Sequence, residues 1–440
     1  MNKLPDKSLL RSNKNLSRRN FIFDTGAAAG ALALGLNGLH AAAVQRRQRA
    51  LPPAQQSGIQ HIVVVMMENR SFDHFLGWVP GADGRQAGLT YLDRAGVAHS
   101  TYPLAPDYQG CGHLDPDHSY EGGRIEFNNG ACDGWLRADN DLFAIGYYTQ
   151  ADLKFFAGAA PAWTTCDRYF AAIMAETFPN RIYQYAAQTD RLTNTMEFSA
   201  LPTIFDRLVE HSISTRYYFS DVPFTALWGV KYLPITRHIT EFLASCAAGT
   251  LPHVSFVDPR FLGESLGLSG DDHPFADIRN GEAFLNMVYQ AVVASPNWPR
   301  TVLVIAYDEW GGFFDHVPPG LAPIPPADAA VGSDGRRGFR VPALVISPWS
   351  PRGQVAHGIY DQTSILRMIE WRWNLRPLTV RDATANNLAE VLDFGHPVYT
   401  APRFAVPPGP FGTICPPLAL ETDKWQNLAG VAQSLGFGLF

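Results

Sequence analysis

Two pairs of oxygen-bearing side chains directly follow runs of apolar residues. Glu68 and Asn69 follow the run HIVVVMM, and Asp308 and Glu309 follow the run TVLVIAY. In open α/β sheets, ligands bind at the carboxyl ends of the strands. Carboxylate and amide oxygens at that place suit a divalent cation. Acidic residues also mark where buried strands reach solvent, but two pairs in equivalent positions favour a metal site.

Further titratable residues lie in the loops. GGFFDHVPPG follows the second pair and starts with two glycines, which allow the backbone to approach a ligand closely. It also carries Asp315 and His316, and we interpret His316 as a supporting histidine paired with its neighbours. His118 lies in DPDHSYE and His273 in SGDDHPF. The residues alone leave both a structural and a catalytic role open for these two histidines.

Thr177 begins the segment TFPNRIYQYAA. Pro179 fits the first turn of a helix, so Thr177 is predicted to lie just before a helix N-terminus. Backbone N–H groups and the helix dipole favour an anion there. A threonine in this position is either a helix cap or, beside a metal ion, a nucleophile that attacks phosphorus.

The elements that must position these residues are buried strands and helices. The apolar runs at 61–67, 301–307 and 341–347 are predicted to be strands of a sheet covered on both faces, which is typical of parallel sheets. Helical patterns lie between them, in NRIYQYAAQ, GEAFLNMVYQAVVAS and QTSILRMIEWRWNL. The sequence therefore predicts an α/β fold with a central, mostly parallel sheet sandwiched by helices.

Two long segments, near 80–160 and 218–280, are rich in glycine, aspartate, proline and aromatic residues. Loops of this length tend to lie over functional sites, so we interpret them as insertions over the carboxyl edge of the sheet. The proline-rich tail from about 395 is predicted to wrap the surface. We expect one catalytic domain, from 44 to 440.

Residues 1–43 are interpreted as a twin-arginine signal peptide. Arg18 and Arg19 precede a run rich in glycine and alanine, which is shorter than the ~20 residues of a membrane span. Small residues at 41–43 offer a cleavage site. A membrane-anchoring helix is the alternative.

The charge of the chain excludes one class of partner. The signal holds six basic and two acidic residues, so its removal changes the formal net charge from −6 to −10. Nucleic acids bind proteins through lysine and arginine, and we expect no such partner. We expect export by the twin-arginine machinery to the periplasm or the medium.

The cysteines all lie after the signal. In an oxidising compartment some of them can pair, and a bond between Cys111 and Cys132 would close a short polar loop. Free buried cysteines are the alternative. The spacing indicates no thiolate metal site. The five cysteines are Cys111, Cys132, Cys166, Cys246 and Cys415.

Four motifs occur in order along the chain: MMENRSFDHFLG, DHSYE followed by NNGACDGW, TFPNR, and DEWGGFFDHV. Together they closely resemble the bacterial phosphoesterase family of phosphatidylcholine-preferring phospholipases C and related acid phosphatases, which is similar in fold to alkaline phosphatase. The resemblance covers residues from about 59 to 375. It implies a hydrolase that acts on phosphoric ester bonds.

The resemblance also implies a role for each residue of the candidate site. A divalent metal ion would be held by Glu68, Asn69, Asp308 and Glu309, with Thr177 as the remaining ligand and the nucleophile. The acid phosphatases of the family typically have serine at that position, so a threonine resembles the phospholipase branch.

The same resemblance implies roles for residues around the metal. By similarity, His118 and His273 would contact the phosphoryl oxygens, and one of them would protonate the leaving group. The residues expected to support the ligands or their turns are Arg70, Asp73, Arg181, Asp315 and His316.

The leading interpretation is an exported metal-dependent phospholipase C that acts on phosphatidylcholine-type diesters through a phosphothreonine intermediate. The alternatives are an acid phosphatase for phosphomonoesters and an inactive exported binding protein. The cation is calcium, magnesium, manganese or zinc, and the oxygen ligands favour the first three. The expected partners are a phospholipid or phosphoester substrate and, transiently, a membrane surface.

Aromatic residues in the long loops either hold a choline head group by cation–π contact or form ordinary core. They are Trp135, Tyr147, Tyr148, Phe219, Phe224 and Trp228.

Overall fold

The computed structural model describes residues 51–416 and 423–438. The predicted signal peptide, residues 1–43, lies outside the described residues. Within them, the strands are β1 (His61–Met67), β2 (Thr90–Leu92), β3 (Ala98–Ser100), β4 (Tyr102–Pro103), β5 (Gly146–Tyr147), β6 (Thr164–Cys166), β7 (Thr215–Phe219), β8 (Thr236–His238), β9 (Val254–Val257), β10 (Thr301–Tyr307), β11 (Ala343–Ile346) and β12 (Val355–Ala356).

Helices connect most of these strands. In the described residues, the α-helices are α1 (Phe72–Leu76), α2 (Tyr120–Phe127), α3 (Lys154–Ala162), α4 (Thr177–Ala186), α5 (Ile204–Glu210), α6 (Ile239–Ala248), α7 (Ile278–Ala294), α8 (Pro326–Ala330), α9 (Gln362–Trp373), α10 (Val380–Ala383) and α11 (Lys424–Ser434). Short 3-10 helices lie at Ala54–Gln56, Asn128–Gly130, Leu142–Ile145, Phe224–Ile235, Glu264–Leu266, Trp298–Arg300 and Leu388–Val391.

The largest sheet has the strand order β12-β6-β11-β10-β1-β9-β7-β8. The strands from β10 to β8 in this order run parallel to one another. β11, which corresponds to the third apolar run, is antiparallel to both of its neighbours. Every residue of β11 is buried, and an inner strand covered on both faces is apolar in either direction. The predicted fold class, α/β with a mostly parallel sheet flanked by helices, is confirmed.

The two central strands position the candidate site. All residues of β1 and β10 are buried, and the two strands have the bounds that their apolar runs predict. β9 lies on the other side of β1, so the long segment near 218–280 contributes a strand to the middle of the sheet. The three predicted helical patterns form α4, α7 and α9.

The tail after residue 395 has no regular secondary structure up to residue 416. Phe404 in this tail stacks on Tyr289 of α7, with ring centroids 4.9 Å apart. None of the helices in the described residues has the length and apolar character needed to span a membrane.

One disulfide bond joins Cys111 to Cys415, which is 304 residues further along the chain. The bond attaches the tail to the loop before α2. The predicted pairing of Cys111 with Cys132 is therefore wrong, because sequence spacing favours short loops and cannot show which distant segments meet. Cys132, Cys166 and Cys246 are free and buried.

Candidate active site

The ends of the two central strands bring four predicted residues together. β1 and β10 are parallel and paired up to their last residues, so Glu68 and Asp308 follow them at one edge of the sheet. The N–H groups of Asn69 and Glu309 both donate to Oδ1 of Asp308, at 3.2 and 2.7 Å. All four side chains are buried.

Thr177 is the first residue of α4. The N-cap residue is Glu176, whose side chain does not cap the helix, whereas the N–H group of Phe178 donates to Oδ1 of Asn194 at 2.7 Å. The Thr177 hydroxyl is buried and has no hydrogen-bond partner among the described residues, so the alternative role of Thr177 as a cap is wrong. Arg181 follows four residues later on the same face. Its Nε atom lies 3.1 Å from Oδ2 of Asp308 and 3.7 Å from Oε1 of Glu68, so this face of α4 lies against the strand ends.

Several buried oxygen atoms at this edge lack a hydrogen-bond partner among the described residues. They are both carboxylate oxygens of Glu68, Oδ1 of Asn69, Oγ1 of Thr177 and Oε1 of Glu309. Buried polar atoms are nearly always paired, so a set of unpaired oxygens gathered at one edge of the sheet is suited to bind another species. All are hard oxygen atoms, which fit a hard divalent cation. We refer to Glu68, Asn69, Thr177, Asp308 and Glu309 as the edge site.

Burial changes the acidity of two carboxyl groups of the edge site. It raises the pKa of Asp308 to about 7, although the Arg181 charge opposes the shift. It raises the pKa of Glu309 to about 8, against the opposing charge of His118. A cation bound beside these groups favours their ionised form, so its binding releases protons.

Gly311 allows the loop after β10 to approach the turn after β1 closely at the edge site. Asn69 has a positive φ of 57°, and Gly311 has a φ of 63°. A Cβ atom on Gly311 would lie 2.2 Å from the carbonyl oxygen of Asn69. The Gly311 N–H group donates to Oε2 of Glu309 at 2.6 Å. The close approach that glycine permits here is therefore to the Asn69 turn.

His118 and His273 come from distant segments and meet near Asp115. Nε2 of His273 lies 3.3 Å from Oδ2 of Asp115, and Nε2 of His118 lies 3.3 Å from Nδ2 of Asn69. Burial lowers the pKa of His118, but the charges of Glu309 and Asp115 outweigh it and raise the pKa to about 9. Burial lowers the pKa of His273 below its ordinary value. The pKa values of the two histidines are therefore shifted in opposite directions.

Arg70 holds the loop of His273 against the turn after β1. Its Nε atom donates to the carbonyl oxygen of Asp272 at 2.6 Å, and its Nη2 atom donates to that of His273 at 3.2 Å. Arg70 therefore supports the position of a candidate catalytic residue and of its own turn.

Asp315 and His316 lie in a second acidic cluster. Nδ1 of His316 lies 2.5 Å from Oδ2 of Asp73. Arg340 donates to Asp73 at 3.1 Å and to Asp315 at 2.9 Å. Ligand atoms of Asp73, Asp315 and His316 lie within 4.8 Å of one another, but all four carboxylate oxygens accept hydrogen bonds. We refer to Asp73, Asp315, His316 and Arg340 as the loop cluster.

Asp258 was not predicted from the sequence as a residue of the site. This residue follows β9 as Glu68 follows β1, and its Oδ1 atom lies 3.3 Å from Nη1 of Arg181. The apolar run VSFV before it is the signal that could have identified it. Arg181 therefore links the ends of three neighbouring strands.

A group of acidic residues around Glu68 was also not predicted from the sequence. Ligand atoms of Glu68, Glu264 and Asp271 lie within 4.8 Å of one another, and we refer to these residues as the three-carboxylate group. Nζ of Lys424 lies 3.0 and 2.9 Å from the two carboxylate oxygens of Glu264. Burial raises the pKa of Glu68, but the charges of Lys424 and Arg181 outweigh it and lower the pKa to about 2.

The aromatic residues considered for a choline head group are core residues. All six are buried: Trp135, Tyr147, Tyr148, Phe219, Phe224 and Trp228. The alternative that they form ordinary core is confirmed.

The family model of the phosphoesterase family matches residues 59–376. The chain belongs to the phosphoesterase family. The resemblance carried by the four motifs is thereby confirmed, and so is the predicted enzyme class, a hydrolase that acts on phosphoester bonds.

Named relatives of this phosphoesterase include plant and bacterial enzymes. It is 30% identical to non-specific phospholipase C1 of Arabidopsis thaliana over 377 residues, which cover 76% of this chain and 71% of the relative. It is 29% identical over 460 residues to phospholipase C A of Mycobacterium tuberculosis strain H37Rv, covering 87% and 86%. A solved structure from the alkaline phosphatase superfamily, from Vibrio parahaemolyticus, has a TM-score of 0.37 and 10% identity, covering 74% of this chain and 68% of that chain.

Proposed function

We propose that this phosphoesterase is an exported, metal-dependent phospholipase C that hydrolyses phosphatidylcholine-type diesters. The observation that carries the proposal is the set of unpaired, buried oxygen atoms at the edge site. It combines a free hydroxyl group with carboxylate and amide oxygens, which is what a metal-assisted phosphoryl transfer requires. Relatives named phospholipase C, from a plant and a mycobacterium, support this substrate class.

In this proposal, Thr177 is the nucleophile. Its Oγ atom, with its proton already lost to solvent, forms a bond to phosphorus while the bond from phosphorus to the diacylglycerol oxygen breaks. Water then attacks the phosphorus, the Thr177 oxygen leaves, and the phosphorylated head group is released. In the first turn of α4, Phe178 donates its N–H group to Asn194 and Pro179 has none, so the N–H group of Thr177 is the one that we place against the phosphoryl oxygens.

The two histidines serve the proton transfers. His118 gives a proton to the departing diacylglycerol oxygen and takes one from the attacking water in the second step. His273 lies beside a phosphoryl oxygen. A divalent cation, held by the oxygen atoms of the edge site, supplies positive charge that offsets the charge developing in the transition state. The oxygen ligands favour calcium, magnesium or manganese over zinc.

Two chromogenic substrates test the proposal. Hydrolysis of p-nitrophenylphosphorylcholine and p-nitrophenyl phosphate is measured side by side, with and without a chelator, and Thr177→Ala reports any contaminating activity. We expect faster hydrolysis of the diester and its loss on chelation. Faster hydrolysis of the monoester would favour an acid phosphatase instead, and activity on neither substrate would favour a binding protein.

Export is the second part of the proposal. Residues 1–43 act as the twin-arginine signal, and 44–440 form one catalytic domain with an insertion near 80–160. The segment near 218–280, predicted as an insertion, instead carries β8, α6 and β9 and belongs to the main fold. The Cys111–Cys415 bond supports an oxidising compartment. Changing Arg18 and Arg19 together to lysine leaves the precursor in the cytoplasm, and normal export of that variant would contradict the assignment.

A further inference from the structure

Lys424, the first residue of α11, places its ammonium group among the acidic residues at this edge of the sheet. The Lys424 side chain is 13% exposed, and its Nζ atom contacts both carboxylate oxygens of Glu264. Glu264 belongs to the three-carboxylate group with Glu68 and Asp271. Carboxylates gathered in a buried space need a counter-charge, because burial strongly disfavours unpaired charges. Lys424 supplies that charge from a segment beyond residues 59–376, which the family model matches.

Some carboxylate oxygens of the three-carboxylate group accept hydrogen bonds from the protein, and others do not. Oε1 of Glu264 accepts from Lys424 and from Nε1 of Trp425 at 3.3 Å, and Oε2 also accepts from Lys424. Nε2 of His273 lies 3.5 Å from Oε1 of Glu264. The oxygens of Glu68 have no hydrogen-bond partner among the described residues, although Nε of Arg181 lies 3.7 Å from Oε1. Glu264 is thus engaged by the protein, and Glu68 is left for a ligand.

Trp425, the next residue, accounts for the docking of α11. Its ring stacks on Phe261, with centroids 3.8 Å apart and planes 6° apart. It also contacts the rings of Phe178 and Phe224, at 5.4 and 6.1 Å. These contacts hold α11 against the segment of Thr177, and the Lys424 ammonium group is not needed for them. The buried ammonium therefore needs an explanation other than docking.

We propose that Lys424 is a positioning residue that takes the place of a second metal ion beside Glu68, so that the edge site works with one divalent ion. The inference rests on the proposed metal-dependent function. The ammonium engages Glu264 and neutralises part of the charge of the three-carboxylate group. Without it, these hard oxygens are free to bind a second divalent ion, which competes for Glu68 and draws that ligand away from the edge site.

Three variants separate this role from simple stabilisation. Lys424→Met removes the ammonium with little change in length, and Lys424→Arg keeps the charge. Lys231→Met is the matched control, because it breaks another lysine–carboxylate pair, to Asp206 at 2.8 Å. Each full-length mature chain is stripped with a chelator and titrated with manganese. Bound ions are counted by elemental analysis, and kcat, KM and thermal stability are measured on p-nitrophenylphosphorylcholine and by calorimetry.

We expect one bound ion per chain in the wild type, Lys424→Arg and Lys231→Met, and two in Lys424→Met. The kcat of Lys424→Met falls about 10- to 100-fold, the usual effect of losing a group that orients metal ligands. Lys424→Arg recovers much of that loss.

Two results would overturn the inference while leaving the proposed function intact. One is a Lys424→Met chain with one ion and unchanged kcat, whatever its thermal stability; the other is two ions in the wild type. An active wild type that binds no ion would instead contradict the metal-dependent function, and the inference with it.

Discussion

The edge site and the loop cluster share a loop and contain similar residues, but the protein pairs their charges differently. In the loop cluster, Arg340 lies between Asp73 and Asp315, and every carboxylate oxygen accepts a hydrogen bond. In the edge site, five buried oxygen atoms have no hydrogen-bond partner among the described residues. Acidic side chains and close spacing therefore do not distinguish a metal site from a structural ion pair. The supply of hydrogen-bond donors does.

This difference has separate consequences for stability and function. Charges that the protein pairs internally contribute to the folded state, whereas unpaired buried oxygens cost free energy until a ligand binds them. We therefore expect changes in the loop cluster to alter the free energy of unfolding with little effect on kcat. In the edge site, loss of the Thr177 hydroxyl should alter kcat with little effect on stability, because that hydroxyl has no hydrogen-bond partner among the described residues. Glu68 and Asp308, by contrast, also pair with Arg181.

The largest expected effect is on the rate constant of Thr177 variants. Thr177→Ala should lower kcat by several orders of magnitude, because the attacking oxygen is removed. Thr177→Ser should keep part of the activity, since the hydroxyl group remains. Ion binding and the free energy of unfolding should change little. A kcat for Thr177→Ala close to the wild-type value would mean that the edge site does not carry out the reaction.

The largest effect on stability is expected in the loop cluster. Arg340→Met leaves Asp315 buried without its arginine partner and Asp73 with only His316, which should cost about 3 to 5 kcal/mol of unfolding free energy. Arg207→Met is the control, because the Arg207–Glu210 pair lies at the surface and should cost less than about 1 kcal/mol. Urea denaturation measures both. Equal losses in the two variants would mean that the loop cluster is not a structural ion pair.

A smaller effect is expected on the increase in stability that a bound ion gives, and it should differ between the edge site and the loop cluster. Adding a divalent ion to the stripped protein at about 100 times its Kd should stabilise the fold by about 2.7 kcal/mol. Asp308→Asn should weaken or abolish this increment, because it removes a negative ligand. Asp315→Asn should keep the increment, although it lowers the starting stability. Calorimetry with and without the ion gives both values, and an increment lost in Asp315→Asn alone would move the metal to the loop cluster.

The smallest expected effect is the pH dependence of the loop cluster. Burial lowers the pKa of His316, but Asp73 outweighs it and raises the pKa above the ordinary value. A raised pKa stabilises the fold when the histidine is charged. This contribution is fully present below about pH 6.5 and is lost as the pH rises through the raised value. His316→Gln should remove about 1 kcal/mol of stability at acidic pH and less at alkaline pH, and parallel loss at both would contradict the assignment.

The sequence was sufficient to predict the parts of the site that depend on local patterns. β1 and β10 have the predicted bounds because continuous apolar runs end where the chain meets polar residues. Since the two strands are parallel neighbours, Glu68 and Asp308 meet as expected. Their roles as metal ligands, and that of Thr177 as the nucleophile, stay predictions.

The remaining contacts depend on which distant segments meet. Lys424 is 160 residues from Glu264 along the chain, and neither residue belongs to a local motif. The Cys111–Cys415 bond spans 304 residues, so spacing could not identify it. β11 was predicted as a strand, but its direction in the sheet could not be predicted. Burial on both faces gives the same apolar sequence whether the strand is parallel or antiparallel to its neighbours.

The stereochemistry of phosphoryl transfer tests the central claim most directly. The claim is that phosphorus is transferred first to Thr177 and then to water at the edge site. Each in-line displacement inverts the configuration at phosphorus, so two in succession restore it. Hydrolysis of a substrate that is chiral at phosphorus, followed by analysis of the product, distinguishes the mechanisms. The account predicts net retention of configuration, and net inversion would contradict it, because water would then attack the substrate directly.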